Sequence, residues 1–303
     1  MQEATAIGSD YATAAGCPTS GDVADCLRGL PADKANAIAA AGYLFGGQGT
    51  ITPTLNGTTL VAPLRDELRS GRANRVPVIA GVARDENLVA YANTASQYYQ
   101  FNQAQYGSSA GQIQRLYPLS NLDAPFVAWR TIAADSDAVC STLATDADLA
   151  RWMPVYGYEI DDGNAAPLFF LPTGVPNGAS HVADWFIDPS AIAGGPLDPD
   201  QKVLQDEEVA DVTTFARTAN PSAENTLPWP EFNGGGSILS LAPGGDSEPT
   251  TASQIGLVHH CGFWNSVHSG ASAVQRRSKV RHRSPAAPGA TSEPPADQRR
   301  SAG

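Results

Sequence analysis

Residues 75–88 read RVPVIAGVARDENL, from Arg75 to Leu88. The apolar run Val76-Pro-Val-Ile-Ala80 predicts a buried strand over 76–82 that closes on Gly81. A polar turn follows and carries two adjacent carboxylates, Asp85 and Glu86. A strand that ends in a glycine and a carboxylate-bearing loop is a common way to hold an acid at the carboxyl rim of an α/β sheet. The plainer reading of the same pair is a solvated turn, the usual setting of loop carboxylates.

The surrounding pattern is mostly helical. Helices are expected at 2–15, 22–30, 32–41, 63–70, 88–99 and 109–117. Two longer ones fall within 123–153, with Phe126, Trp129, Ile132 and Ala133 facing inward from the first and Val139 and Leu143 from the second. Asp200–Ala219 reads as an amphipathic helix using Leu204, Val212, Phe215 and Ala216, and a last helix surrounds Phe263-Trp264. Two further strands are legible, Val155–Ile160, which ends in the acidic turn Asp161-Asp162-Gly163, and Ile238–Leu241. Many helices around few strands predict an α/β architecture whose sheet this chain supplies only in part, since a complete doubly wound domain has roughly five or more strands.

Charge divides the chain unevenly. Residues 271–303 hold seven Lys/Arg against two Asp/Glu, while the remainder holds twelve against twenty-nine, so a body of −17 precedes a tail of +5. The acidic body argues against nucleic acid as its partner. The tail is rich in Pro, Ser and Arg with almost nothing to bury, and is expected to be disordered. The expected division is therefore a globular part over 1–268 and a basic tail over 269–303. No apolar run is long enough to span a bilayer, and the first residues lack the basic-then-apolar pattern of a signal peptide.

Cys17, Cys26, Cys140 and Cys261 contain no C-x-x-C, which argues against zinc. Their even number allows two disulfides in three connectivities, with Cys17 and Cys26 well spaced to close a small ring; bridges would place the protein in an oxidising compartment. No cofactor signature is present. Gly107-Ser108-Ser109-Ala110-Gly111 fits the nucleophile pattern G-x-S-x-G, but that elbow needs an apolar strand before it. Tyr99–Tyr106 is polar, so Ser108 and Ser109 are expected to cap a helix instead. Of five histidines, His259 and His260 lie in the apolar LVHHCGFW, where at least one is expected to be packed or hydrogen-bonded, and His268 and His282 border or lie in the tail. His181 sits in a glycine-started loop, Gly178-Ala-Ser-His-Val-Ala-Asp184, downstream of the second strand. A carboxylate from a neighbouring strand end can pair with such a histidine and fix its tautomer, and Glu86 is the candidate.

Taken together, these segments resemble the type B carboxylesterases, the α/β hydrolases that include the cholinesterases, over about residues 5–267. GCPTSGDVADCLRGLP is similar to the family's small disulfide loop, and Asn56-Gly57 stands where Asp-Gly is usual. VPVIAGVARDEN matches V-P-hydrophobic-x-G-x-x-x-D-E, with Asn87 in place of the usual glycine. VYGYEIDD and GASHVADWFID resemble the strand and loop that carry the histidine, with Asp184 replacing a common glutamate. NPSAENTLPWPEF and HHCGFW resemble two later segments.

The resemblance implies a Ser-Glu-His triad with Glu86 as acid and His181 as base, a small-molecule carboxylic ester as substrate, Cys17–Cys26 and Cys140–Cys261 bridges, and a secreted setting. It also implies an incomplete site. The family's Gly-Glu-Ser-Ala-Gly elbow and Gly-Gly oxyanion segment lie upstream of the region these motifs occupy, and neither occurs in this sequence. The expected function is thus that of the C-terminal half of a serine esterase, with little activity of its own and an N-terminal half as possible partner. The alternative is a non-catalytic, cholinesterase-like binding protein.

Overall fold

The computed structural model describes residues 2–40, 54–55, 57–86, 93–120, 124–165, 178–181, 183 and 196–269. Those residues fall into two compact units. The first comprises residues up to 80 with 144–157 and 231–234; the second comprises 81–143, 158–230 and 235 onward.

The first unit opens with helices α1 (Gln2–Ala15), α2 (Val23–Arg28) and α3 (Ala32–Ala40). Ala12, Ala15 and Cys17 are buried together, with Val23, Leu27, Leu30 and Ile38 packed on them. Small side chains let the helices approach closely, and a Cys17–Cys26 disulfide ties the end of α1 to α2. A further short helix, α4 (Leu64–Arg69), is held by Arg69 Nε donating to Asp148 Oδ2 at 2.9 Å.

The sheet runs in the order β1 (Val78–Ala83), β2 (Val155–Ile160), β3 (Ser237–Leu241), β4 (Glu248–Thr251). Val78 N–H donates to Pro154 O and Arg84 N–H to Ile160 O, both at 3.0 Å. The same offset at both ends of the pair is the mark of parallel strands. β3 and β4 form an antiparallel pair with Ser237 opposite Thr251 and Ser240 opposite Glu248, which makes the sheet mixed. β1 begins two residues after the expected start, because Val76 is exposed and Pro77 has no N–H to give to a ladder. β4 was not legible as a strand: its sequence, EPTT, contains a proline, which strand pairing tolerates only at an edge.

Gly81 explains a close approach within the sheet. A Cβ there would lie 2.3 Å from the ring of Tyr158 on β2, and that ring stands edge-on to Trp229 with centroids 5.9 Å apart. Glycine lets the tyrosine lie across β1 just before the strand delivers Asp85 and Glu86.

The core of the second unit is aromatic. Tyr98 from α5 (Ala95–Tyr106), Ile113 from α6 (Ala110–Leu116), and Trp129 and Ile132 from α7 (Pro125–Ala133) pack with Cys140, Cys261 and Trp264. Helix α5 runs seven residues past the expected limit at Tyr99. It starts in a reciprocal cap, in which Thr94 Oγ1 accepts from Gln97 N–H and Gln97 Oε1 accepts from Thr94 N–H. Residues 88–92 of the expected helix lie outside the described residues. Between α7 and α8 (Cys140–Leu149), residues Ala134–Val139 form a π-helical turn that buries Asp135, Ser136 and Val139. The Cys140–Cys261 disulfide joins α8 to the helical residues 261–269.

Helix α9 (Pro199–Thr218) corrects one expectation. Leu204 is buried as the pattern implied, but Val212 and Phe215 are only half-buried and Ala216 is exposed. The inward face is instead Gln201, Leu204, Glu208 and Asp211. A hydrophobicity pattern misses such a face because its polar groups find partners: Gln201 Nε2 donates to Asp162 Oδ2 at 2.8 Å, and Asp211 Oδ1 accepts from Ala223 N–H and Thr226 Oγ1. The last named helix is α10 (Ala252–Val258), capped by Thr251 Oγ1.

Candidate active site

Two strand ends build the site. Beyond β1 the chain turns at Arg84-Asp85, and Glu86 N–H donates back to Ala83 O at 3.1 Å, which keeps Glu86 just past the strand. Beyond β2, Asp162 organises the second turn: its Oδ1 accepts from Asn164 N–H at 2.9 Å and its carbonyl from Ala165 N–H at 3.1 Å. Gly178 N–H donates to Gly163 O at 3.1 Å, so the histidine loop returns to the same turn. Ser180 N–H then donates to Gly178 O and Ala183 N–H to Ser180 O, one short-range bond on each side of His181.

Within this frame His181 Nδ1 is hydrogen-bonded to Glu86 Oε1. A carboxylate can only accept, so Nδ1 carries the proton and Nε2 is left as the acceptor nitrogen. The two side chains are 34% and 22% exposed, which leaves the imidazole open to a reacting group while its far side is held. An imidazole held in this way can serve as a general base.

Asp85, which the sequence assigns to the turn, has more contacts than a turn requires. Its Oδ2 accepts from Arg84 Nη2 at 3.0 Å, Arg84 Nε at 3.2 Å and Ala179 N–H at 3.0 Å, while its own N–H donates to Ala179 O at 2.8 Å. Arg84 also bonds Asp161 through Nη1, so one guanidinium bridges the ends of β1 and β2. Gly178 adopts φ 66°, and a Cβ on it would fall 2.6 Å from Asp85 Oδ2 and 3.1 Å from Nη2 of the buried Arg130. Burial lowers the Arg130 pKa from its usual value, and the nearby Asp85 charge works against that.

The remaining candidates fall elsewhere. Ser109 ends a 3₁₀ turn, Gly107–Ser109, that follows helix α5 with no strand before it. It also corrects the expected cap: Ser109 stands at the N-cap of α6 with helical backbone, and its hydroxyl makes no capping bond. The chain enters α6 through the continuous turn, so no side-chain cap is needed there. Asn56, Asn87, Asp184 and the tail from 270 lie outside the described residues. Among the described residues, no group of three or more His, Cys, Asp or Glu side chains could hold a metal ion, and no helix is long and apolar enough to cross a membrane.

His259 is buried and doubly partnered. Its Nδ1 lies 2.6 Å from Asp135 Oδ1, and its Nε2 lies 3.2 Å from Glu159 Oε1, close enough for an ion pair although not aligned as a hydrogen bond. Burial disfavours the imidazolium, but the bond to Asp135 and the contact with Glu159 outweigh it and raise the pKa to about 9. Burial pushes the Asp135 carboxyl up, against the bonds from His259 and Tyr117. A raised histidine pKa contributes stability that is whole below the unfolded value near 6.5 and is lost as pH rises through 9. The expected result is a urea midpoint that falls between those pH values in the wild type and is flat there in His259→Gln; a parallel fall in both would contradict the assignment.

Comparison with known proteins adds a family and a fold. A model of the carboxylesterase family matches residues 1–264. No curated protein sequence matches significantly. Among solved structures, a PNB esterase superposes with a TM-score of 0.55 at 18% identity, covering 82% of this chain and 51% of the esterase. A thermophilic PNB esterase gives 0.56 at 18% identity, with 82% and 51% covered, and another PNB esterase structure gives 0.56 at 18% identity, with 83% and 53%. The chain thus spans about half the length of the esterases it matches, with the fold of the corresponding part of an α/β hydrolase.

Proposed function

Because this chain belongs to the carboxylesterase family, we propose that residues 1–268 are the C-terminal portion of a serine esterase domain, carrying the acid and base of its triad but not the nucleophile. The observation that carries this reading is the bond between Glu86 and His181 across two neighbouring strand ends. A role in binding alone would not require that pair.

The chemistry follows from the tautomer. With Nδ1–H given to Glu86, Nε2 of His181 accepts the proton of a serine hydroxyl as it attacks the ester carbonyl, and later returns it to the leaving alkoxide. Glu86 stabilises the imidazolium formed between those two transfers. The serine, and the N–H groups that hold the oxyanion, are supplied by another segment: among the described residues, the G-x-S-x-G match at Ser109 has a helix and not a strand before it. The substrate is a small carboxylic ester, and no cofactor takes part. The two disulfides favour an oxidising, extracellular setting.

A serine-directed fluorophosphonate tests the division of the triad. The expected result is no labelling of the purified chain. Stoichiometric labelling at Ser109 would contradict it and make the chain a complete small hydrolase.

A further inference from the structure

An unusual number of groups converge on Asp85, a residue the reaction does not use. Its Oδ2 takes three donors, two from Arg84 and one from the main chain of Ala179, and its N–H closes a reciprocal bond with Ala179 O. Ala179 is two residues before His181. Gly178, on the other side of Ala179, has room for no side chain because the same carboxylate fills that space. Asp85 therefore joins the loop of the base to the strand that presents the acid, one residue before that acid.

We propose that Asp85 is the positioning residue of the site: it sets the distance between Glu86 and His181 by locking residues 178–179 to the end of β1. This rests on the pairing of Glu86 with His181 as acid and base. Arg84 extends the lock to β2 through Asp161, so the two strand ends and the histidine loop share one charged junction. The physical logic is one of tolerance. A base working through a single hydrogen bond loses efficiency when misplaced by about 1 Å, and a loop cannot hold such a limit without an anchor. Two main-chain bonds to Ala179 provide one, because they fix the backbone itself and leave the His181 ring only its side-chain rotations. A charged acceptor strengthens the bond from Ala179 N–H relative to a neutral one. The junction is also matched in charge: Arg84 and the buried Arg130 face Asp85 and Asp161.

The test reads the histidine directly. In the full chain labelled with ¹⁵N-histidine, His181 Nδ1–H is identified by its loss in His181→Gln. The expected result is that this proton is observed in the wild type and lost in both Glu86→Gln and Asp85→Ala, while Asp85→Ala still melts cooperatively. Asp85→Asn, which keeps an oxygen for Ala179 N–H, is expected to retain the proton with faster exchange. A residue that only stabilised the fold would lower the melting temperature without removing the resonance. Persistence in folded Asp85→Ala overturns the positioning role and leaves the pairing intact; persistence in Glu86→Gln overturns the pairing beneath it. Should Asp85→Ala fail to fold, Gly178→Ala presses on the same oxygen from the loop side, and retention of the proton in that variant equally overturns the proposal.

Discussion

Once a segment bearing the nucleophilic serine is supplied, in cis or as a second chain, His181→Ala is expected to lower kcat for ester hydrolysis by about 10⁶-fold, the loss typical when a triad base is removed. Glu86→Gln is expected to cost about 10⁴-fold, because an amide in place of the carboxylate no longer selects the Nδ1–H tautomer. KM should change little in either variant, since neither group is asked to bind the ground-state ester. The two effects should not add in the double variant: with the base gone, the group that orients it has nothing left to orient. Steady-state kinetics of the four proteins checks this. Losses that multiplied in the double variant would mean that Glu86 and His181 act separately, and the hydrogen bond between them would then be incidental.

The second large effect concerns Cys140–Cys261. These residues are 121 apart in sequence, and their bridge runs through the aromatic core of the second unit beside Trp264. Closing so long a loop restricts the unfolded chain heavily, and removing the bridge is expected to cost about 4–5 kcal/mol. The Cys17–Cys26 ring spans only 9 residues and should contribute roughly 2–3 kcal/mol by the same reasoning. Urea unfolding of Cys140→Ala/Cys261→Ala against Cys17→Ala/Cys26→Ala measures the difference. Equal losses would show that chain entropy is not what these bridges supply.

How legible each element is in the sequence depends on the range of the interactions that fix it. β2 is read to its exact ends because Val155–Ile160 has its own apolar character and its own turn. β1 is read to within two residues, the error lying at Pro77. Helix α9 is located correctly but turned wrongly, since its buried face is largely polar, with Gln201 bonded to Asp162 and Asp211 to Ala223 and Thr226. β4 has no propensity to signal it; it exists because β3 offers an edge.

The site divides along the same line. The contact between Glu86 and His181 is anticipated in the sequence because each stands in a local motif of its own. Asp85 is in the same motif, yet its role depends on Ala179, 94 residues away. A single carboxylate reads as a turn until its partner is known. His259 is similar: its apolar surroundings announce burial, whereas the charge it holds comes from Asp135 and Glu159, on segments distant in sequence. Composition and periodicity report what a residue's neighbours are along the chain, and these roles are set by neighbours in space.

The proposed division of the triad leaves this chain with an oriented base and acid and no nucleophile. Hydrolysis of a p-nitrophenyl carboxylic ester by the purified chain, beside its His181→Ala variant, tests it most directly. The predicted result is that both proteins leave the rate at the buffer background. Turnover by the wild type that His181→Ala abolishes would contradict it.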